Sequence, residues 1–292
     1  MRIALFSKSP MAAAPWELFK ALRKYTNHAV DLINVSHSYR DGRIFPYHLL
    51  FRSDNGMARR ALRNADVWHV NNYLMVELKT MRRRHCVLGQ FHSLPRLGNW
   101  RELMCFADVC YTISQPNQEK EYRLPGLPNI IDPDEYIPAK RGGKTRIAFA
   151  PSSKAPVGRP MSKGYDEVKT ILDGIASERD VEIDWIEGIP YEENLKRKSR
   201  AHILIDDVVT GNWHRTALEG ACFACAVLSS HKCDHFHHST LRALKQDLLK
   251  LIDFPVLRKE FQERSRIWAL RDWHAVDRVK EYEQAYERML ND

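Results

Sequence analysis

Short apolar runs alternate with amphipathic stretches along the whole of this chain. Residues 2–7, 29–35, 65–71, 86–91 and 107–114 are largely apolar runs of strand length, the pattern of strands covered on both faces. Between them apolar residues recur at helical spacing. Trp16, Phe19, Ala21 and Leu22 follow Pro15, a good first-turn residue, and helices are predicted over 51–63, 73–83 and 100–106. Residues 37–50 fit neither period and are rich in Tyr, His, Arg and Pro, so an exposed loop is expected there. The alternation resumes with strands at 145–150, 181–187, 202–205 and 226–228. Helices are predicted around Val168, Ile171, Leu172 and Ile175, over 192–200, from Trp213 through Cys222, and over 239–253, 256–272 and 274–290. Strand–helix alternation of this kind builds parallel sheets, so the fold class is α/β.

The two series are separated by Leu124-Pro125-Gly126-Leu127-Pro128, a turn-rich connection, and by a polar stretch at 139–144. A chain of 292 residues is long enough for two domains. They are expected over 1–125 and 126–273, with the last helix to be assigned.

Hydrophobic content of 44% and charged content of 28% are those of a globular protein, and no apolar run approaches a membrane span. The opening residues 1–6 are too short for a secretory leader, and the six cysteines (Cys86, Cys105, Cys110, Cys222, Cys225, Cys233) form no compact framework. Reduced thiols and a cytoplasmic location are therefore expected. The charge is uneven. Residues 1–140 carry 20 Lys and Arg against 13 Asp and Glu, a net of +7, and the remainder carries 25 against 24, a net of +1. Clusters such as Arg59-Arg60 and Arg82-Arg83-Arg84-His85 suit a polyanion or are simply solvated faces.

The densest chemistry lies at 202–230. An apolar strand ends in Asp206-Asp207, a polar turn Thr210-Gly211-Asn212 follows, and a helix carries Glu219 among small and apolar neighbours. Its N-terminus presents unpaired N–H groups suited to an anion. Glu219 is either a solvated helix residue or an acceptor for a sugar hydroxyl. Cys222 and Cys225 with the 231–238 stretch, His231-Lys232-Cys233-Asp234-His235-Phe236-His237-His238, have the residue types of a zinc site. The two cysteines fall at a helix end and its turn, where packing is expected, and no metal is assigned.

Asp206-Asp207, Gly211-Asn212-Trp213-His214 and Ala217-Leu218-Glu219-Gly220-Ala221 together resemble the donor-binding core of GT-B glycosyltransferases, in particular the retaining family 4-like enzymes. Further matches are Ala65-Asp66-Val67-Trp68-His69-Val70-Asn71, the signature Pro128-Asn129 with Ile131, Asp132 and Tyr136, the Lys163-Gly164 pair opening a helix, and Trp273 with Tyr282 and Tyr286. The resemblance implies two Rossmann-like domains with parallel sheets facing a cleft, and a C-terminal helix, 274–292, that crosses back to close the first. It implies transfer of a sugar from a nucleotide-sugar, UDP-glucose-like, with retention and without a metal or other cofactor. Lys154 and Lys163, with Arg159 as a third cation, would hold the diphosphate. Backbone N–H groups around His214, Arg215 and Thr216 would assist, and Glu219 would bind the ribose. His92, at a strand tip, is the candidate on the acceptor side. Two departures stand out: Gly211 occupies the place of the family's first glutamate, and Ala12-Ala13-Ala14 replace a glycine-rich loop.

In that family the first domain presents the acceptor, and here it carries the charge excess. The expected acceptor is a hydroxymethylated base in DNA, as in phage enzymes, extruded from the stack and received by aromatic residues of the 37–50 and 91–101 loops. Glycan synthesis on an anionic membrane face is the alternative enzyme reading. A non-catalytic nucleic-acid-binding protein on the same fold is the third.

Overall fold

The structure is a computed structural model that describes residues 1–39, 42–81, 85–93, 100–115, 118, 121–151, 154–159 and 162–291. The chain forms two compact units, Met1–Asp132 with Ala275–Asp292, and Pro133–His274. Residues 126–132 stay with the first unit because Leu127 and Ile130 are buried in its core and Asp132 accepts hydrogen bonds from Lys24 and Tyr25.

The first unit is built on β1 (Arg2–Ser7), β2 (Ala29–Asn34), β3 (Leu49–Leu50), β4 (Val67–Asn71), β5 (Cys86–Phe91) and β6 (Val109–Thr112), in the order β3-β2-β1-β4-β5-β6 with every pairing parallel. Alternate residues serve opposite faces. Ile3, Leu5, Leu32 and Val67 pack against α1 (Ala14–Tyr25), and Ala4, Phe6, Ile33 and Trp68 face α2 (Asn55–Asn64), α3 (Val76–Met81) and α4 (Trp100–Phe106). Both faces are covered, so these strands read as unbroken apolar runs.

The second unit has β7 (Thr145–Phe149), β8 (Val181–Trp185), β9 (Ile203–Ile205), β10 (Ala226–Ser229) and β11 (His237–His238), in the parallel order β11-β10-β9-β7-β8. The helices α5 (Tyr165–Glu178), α6 (Tyr191–Ser199), α7 (Arg215–Cys222), α8 (Leu244–Asp253) and α9 (Pro255–Asp272) connect and flank them. The last helix, α10 (Ala275–Asn291), returns to the first unit. Ala275, Val279, Tyr282, Ala285, Tyr286 and Met289 form its buried stripe, while Val276 is half-buried.

Several segments differ from the sequence reading, among them the helix expected over 73–83, which starts at Val76. Residues 37–50 are not simply an exposed loop: Phe45 and Leu49 are buried, and Leu49–Leu50 extend the sheet beside β2. The helix expected from 51 starts at Asn55, because Asp54 turns its carboxylate back onto the Leu50 N–H at 2.7 Å and closes a turn first. The helix expected from 239 starts at Leu244. The basic run 82–84 and much of the 91–101 loop lie outside the described residues.

Candidate functional site

Open parallel sheets bind ligands beyond the carboxyl ends of their strands, at the point where strand order reverses. In the second unit that point lies between β7 and β9, which pair directly while β8 lies on the far side of β7. The loop leaving β7 carries Lys154, Arg159 and Lys163, and the loop leaving β9 carries Asp206, Asp207 and His214.

Asp207 organises this place. Its Oδ1 accepts the N–H groups of Val209 and Thr210, both at 2.8 Å, which sets the turn after β9. Its Oδ2 accepts the Thr210 hydroxyl at 2.5 Å and His214 Nε2 at 2.8 Å, and lies 3.4 Å from Lys163 Nζ. An ionised carboxylate only accepts, so Nε2 carries the His214 proton and Nδ1 points its lone pair or second proton elsewhere. Burial pushes the Asp207 pKa up, but the His214 hydrogen bond, the Lys163 charge and the Thr210 hydroxyl outweigh it and hold the carboxyl well below the ordinary range. Asp206 Oδ2 accepts the His214 N–H at 2.8 Å, and its Oδ1, 3.8 Å from Lys163 Nζ, is buried without a hydrogen bond among the described residues. Lys163 thus makes one long hydrogen bond, to Asp207 Oδ2 at 3.4 Å, and stands 3.8 Å from Asp206 Oδ1, its side chain 8% exposed.

The sequence-predicted residues divide into three groups. Lys163 and His214 converge on Asp207. Arg215 and Glu219, one turn apart on α7, bind each other in a second, fully buried network: Glu219 accepts Lys198 Nζ at 2.6 Å, Arg215 Nε at 3.1 Å and the Tyr191 hydroxyl at 3.4 Å. Arg215 also donates to the hydroxyls of Tyr136 and Tyr191. Glu219 is thus no solvated helix residue. Lys154 stands apart from both: its side chain is 66% exposed, paired with Glu187 at 2.8 Å and lying over the Tyr165 ring. Arg159 is exposed in the same loop, and Thr216 is half-buried in the first turn of α7.

Gly211 accounts for the missing first glutamate. Its φ is +79°, a left-handed conformation that a glutamate side chain would strain. The small residues after Glu219 have a different cause. A Cβ on Gly220 would stand 2.4 Å from Leu204 and 2.9 Å from Val227, so α7 rests directly on β9 and β10.

In the first unit the strand order reverses between β1 and β4. Ala12 and Ala13 in the loop after β1 hold φ of 52° and 66°, and Asn72 after β4 holds 59°. The loop keeps a glycine-like backbone without glycine, a strain concentrated where ligands bind. His92 follows β5; its Nε2 lies 2.8 Å from Asn71 Oδ1 and its N–H donates to Asn72 Oδ1 at 2.6 Å.

The histidines and cysteines weighed for zinc go to packing. Cys222 and Cys225 are buried, Cys225 Sγ lies 3.3 Å from the Ala201 carbonyl, His235 stacks on Trp268, and His237 faces Asp247. Among the described residues no group of three His, Cys, Asp or Glu could share a metal ion.

Asp207 stood in the sequence as one of two carboxylates at a strand end, and Tyr136 as part of a signature, but neither had an assigned contact. Lys198 and Tyr191 were missed. The only signal for Lys198 is a lysine on a charged helix that proves 4% exposed.

No protein-family model and no curated protein matches the sequence. Solved structures do. An alpha-glucosyltransferase in complex with UDP and a 13-mer DNA containing a HMU base is 11% identical, with all of both chains covered and a TM-score of 0.67. The Anabaena protein HepE in complex with UDP is 9% identical over 99% of this chain and 100% of that one, with a TM-score of 0.64. The lipopolysaccharide outer core galactosyltransferase WaaB, in its apo form, is 10% identical over 99% of each, with a TM-score of 0.59. The fold is that of the GT-B glycosyltransferases. Among the described residues no helix is long and apolar enough to cross a membrane.

Proposed function

We propose that this chain is a glycosyltransferase that moves a sugar from a nucleotide-sugar of the UDP-glucose kind to an acceptor hydroxyl, with retention at the anomeric carbon. The observation that carries the reading is Lys163. It is a nearly buried ammonium at the sheet's switch point, linked through Asp207 to His214 at the head of α7, and its hydrogen bond to Asp207 is long at 3.4 Å. A donor diphosphate offers closer charge-assisted bonds than either carboxylate, and draws Lys163 onto itself. The positive end of the α7 dipole, at the first turn around Arg215 and Thr216, favours the same anion. Lys154 and Arg159, exposed on the same loop, supply further positive charge. Glu219 is assigned to the ribose, held in place by Lys198 and Arg215; the ribose hydroxyl would replace the weak 3.4 Å bond from Tyr191.

As the donor C1–O bond breaks, Lys163 and the helix N-terminus stabilise the charge growing on the diphosphate. The acceptor oxygen bonds to C1 from the same face, and its proton passes to the departing phosphate oxygen. The reaction then needs no metal and no cofactor beyond the sugar nucleotide. His92 is assigned to the acceptor side.

The acceptor we infer is a hydroxymethylated base in DNA, and the site of action the cytoplasm. The net of +7 on residues 1–140 supports a polyanion there. So does the likeness to a glucosyltransferase that binds HMU-containing DNA. Likeness to WaaB favours a second reading, transfer to a cell-envelope glycan or glycolipid at an anionic membrane face.

The test is a panel of nucleotide-sugars, scored by thermal stabilisation and donor hydrolysis, then mass spectrometry of hydroxymethylated and plain DNA after incubation with the active donor. One donor should stabilise the protein, Lys163→Ala should abolish that stabilisation, and only hydroxymethylated DNA should gain a hexose mass. No response to any donor would overturn the enzyme reading. Transfer to a glycolipid but not to DNA would move the acceptor to the second reading.

A further inference from the structure

We propose that the outer face of α2, with the turn before it, is a docking surface for the phosphate backbone of duplex DNA. The inner stripe of α2, Ala58 and Leu62, is fully buried in the first unit's core. The opposite side carries Arg59, Arg60 and Arg63, and Arg52 lies one turn upstream. The helix contains no acidic residue. Arg52, Arg60 and Arg63 are exposed, and none has an ion-pair or hydrogen-bond partner among the described residues. Basic residues on other helices are treated differently: Lys169 pairs with Asp173, Lys259 with Glu263, Arg264 with Glu260 and Arg278 with Glu281. The nearby acids are also engaged. Asp54 accepts the Leu50 N–H, Asp66 accepts the Arg2 N–H, and Asp31 faces His48 at 3.6 Å. Arg59 is propped outward by Asn55 and by the Phe51 ring. A groove of about 450 Å³ beside the helix is lined by Arg60 and Met57 together with Arg2, His48 and Asp31.

Unpaired guanidinium forks match phosphate oxygens in pairs, so the charge pattern fits a polyphosphate chain. A bilayer surface fits less well. An interfacial helix needs a free apolar face, and that of α2 is in the core, leaving Met57 alone exposed. The choice of duplex DNA among phosphate polyanions rests on the functional reading above; the charge pattern does not.

The experiment is fluorescence anisotropy of the full chain with a plain duplex of about 20 base pairs, without hydroxymethylated bases or donor, between about 50 and 200 mM NaCl. It compares the unaltered protein with a triple variant, Arg52→Ala, Arg60→Ala and Arg63→Ala, and with a control triple, Lys140→Ala, Lys232→Ala and Arg242→Ala. Losing three phosphate contacts lowers the slope of log K against log salt by about 2.7, so the unaltered protein's advantage shrinks roughly fortyfold over that range. The control triple should match the unaltered protein. Equal slopes for the unaltered protein and the arginine triple variant, equal losses in the two triples, or binding to phosphatidylglycerol vesicles but not to the duplex would each overturn the proposal. Sugar transfer is scored separately. If duplex binding depends on the three arginines while no donor is turned over, the surface stands and the enzyme reading falls.

Discussion

Asp207→Asn keeps the shape of a side chain on which five contacts converge and removes its charge. The amide oxygen can still accept the Val209 and Thr210 N–H groups, but the new NH₂ faces His214 Nε2 and the Lys163 ammonium, which are then left without an anion at that oxygen. Removing one partner of a buried pair costs about 3–5 kcal/mol. Lys163 can still lean on Asp206 at 3.8 Å, which argues for the lower end, about 3 kcal/mol at pH 7. For a unit of this size that corresponds to a fall in melting temperature of roughly 6–12 °C. The pH dependence gives an independent check. The folded carboxyl titrates far below the ordinary value, so its contribution is complete above the unfolded pKa near 3.9 and is lost as pH falls from there toward the folded pKa. The gap between the two proteins should therefore narrow by about 1 kcal/mol from pH 7 to pH 3, because only the unfolded unaltered chain takes up a proton in that window. Denaturant unfolding at both pH values measures it. A variant within about 0.5 kcal/mol of the unaltered protein at pH 7, or a gap that does not narrow in acid, would refute Asp207 as the organising charge.

Glu219→Gln should destabilise the donor-free protein by about 3 kcal/mol or more in denaturant unfolding, since it leaves Lys198 and Arg215 buried against a neutral amide. An unchanged midpoint would mean that the carboxylate is not needed until donor binds. His69 is buried between Tyr286 and Gln90, and burial brings its pKa down to about 3. Its stabilisation is complete above pH 6.5 and lost as pH falls toward 3, so stability should drop about 2 kcal/mol from pH 7.5 to pH 5, and a His69→Gln variant should lack that drop. Gly220→Ala should cost about 1–3 kcal/mol by calorimetry, because the added methyl overlaps Leu204 and Val227.

Much of the fold is legible in the sequence because its signals are local. Strand runs such as Arg2–Ser7 stand out as unbroken apolar stretches of strand length, and the stripe Val279, Tyr282, Tyr286, Met289 follows the helical period, both visible in a short window of the chain. What was misread has tertiary causes. Leu49–Leu50 become a strand only because β2 offers a free edge beside them. Asp54 delays α2 by bonding to a residue before it, which no hydrophobic period records.

The sequence by itself determined that this would be a parallel α/β protein with its chemistry at strand ends, since side-chain period and strand-end position are properties of adjacent residues. It also put Lys163, His214 and Glu219 on the page. Only the tertiary structure decided their partners. Lys163 meets Asp207, 44 positions away, because β9 lies beside β7 rather than beside β8. Glu219 meets Lys198 and Tyr191 because α7 and α6 pack together beneath the loop. Strand order and helix packing are set by how whole faces are buried, and a carboxylate's neighbours, and with them its charge state and its reach, are fixed only once that burial is complete.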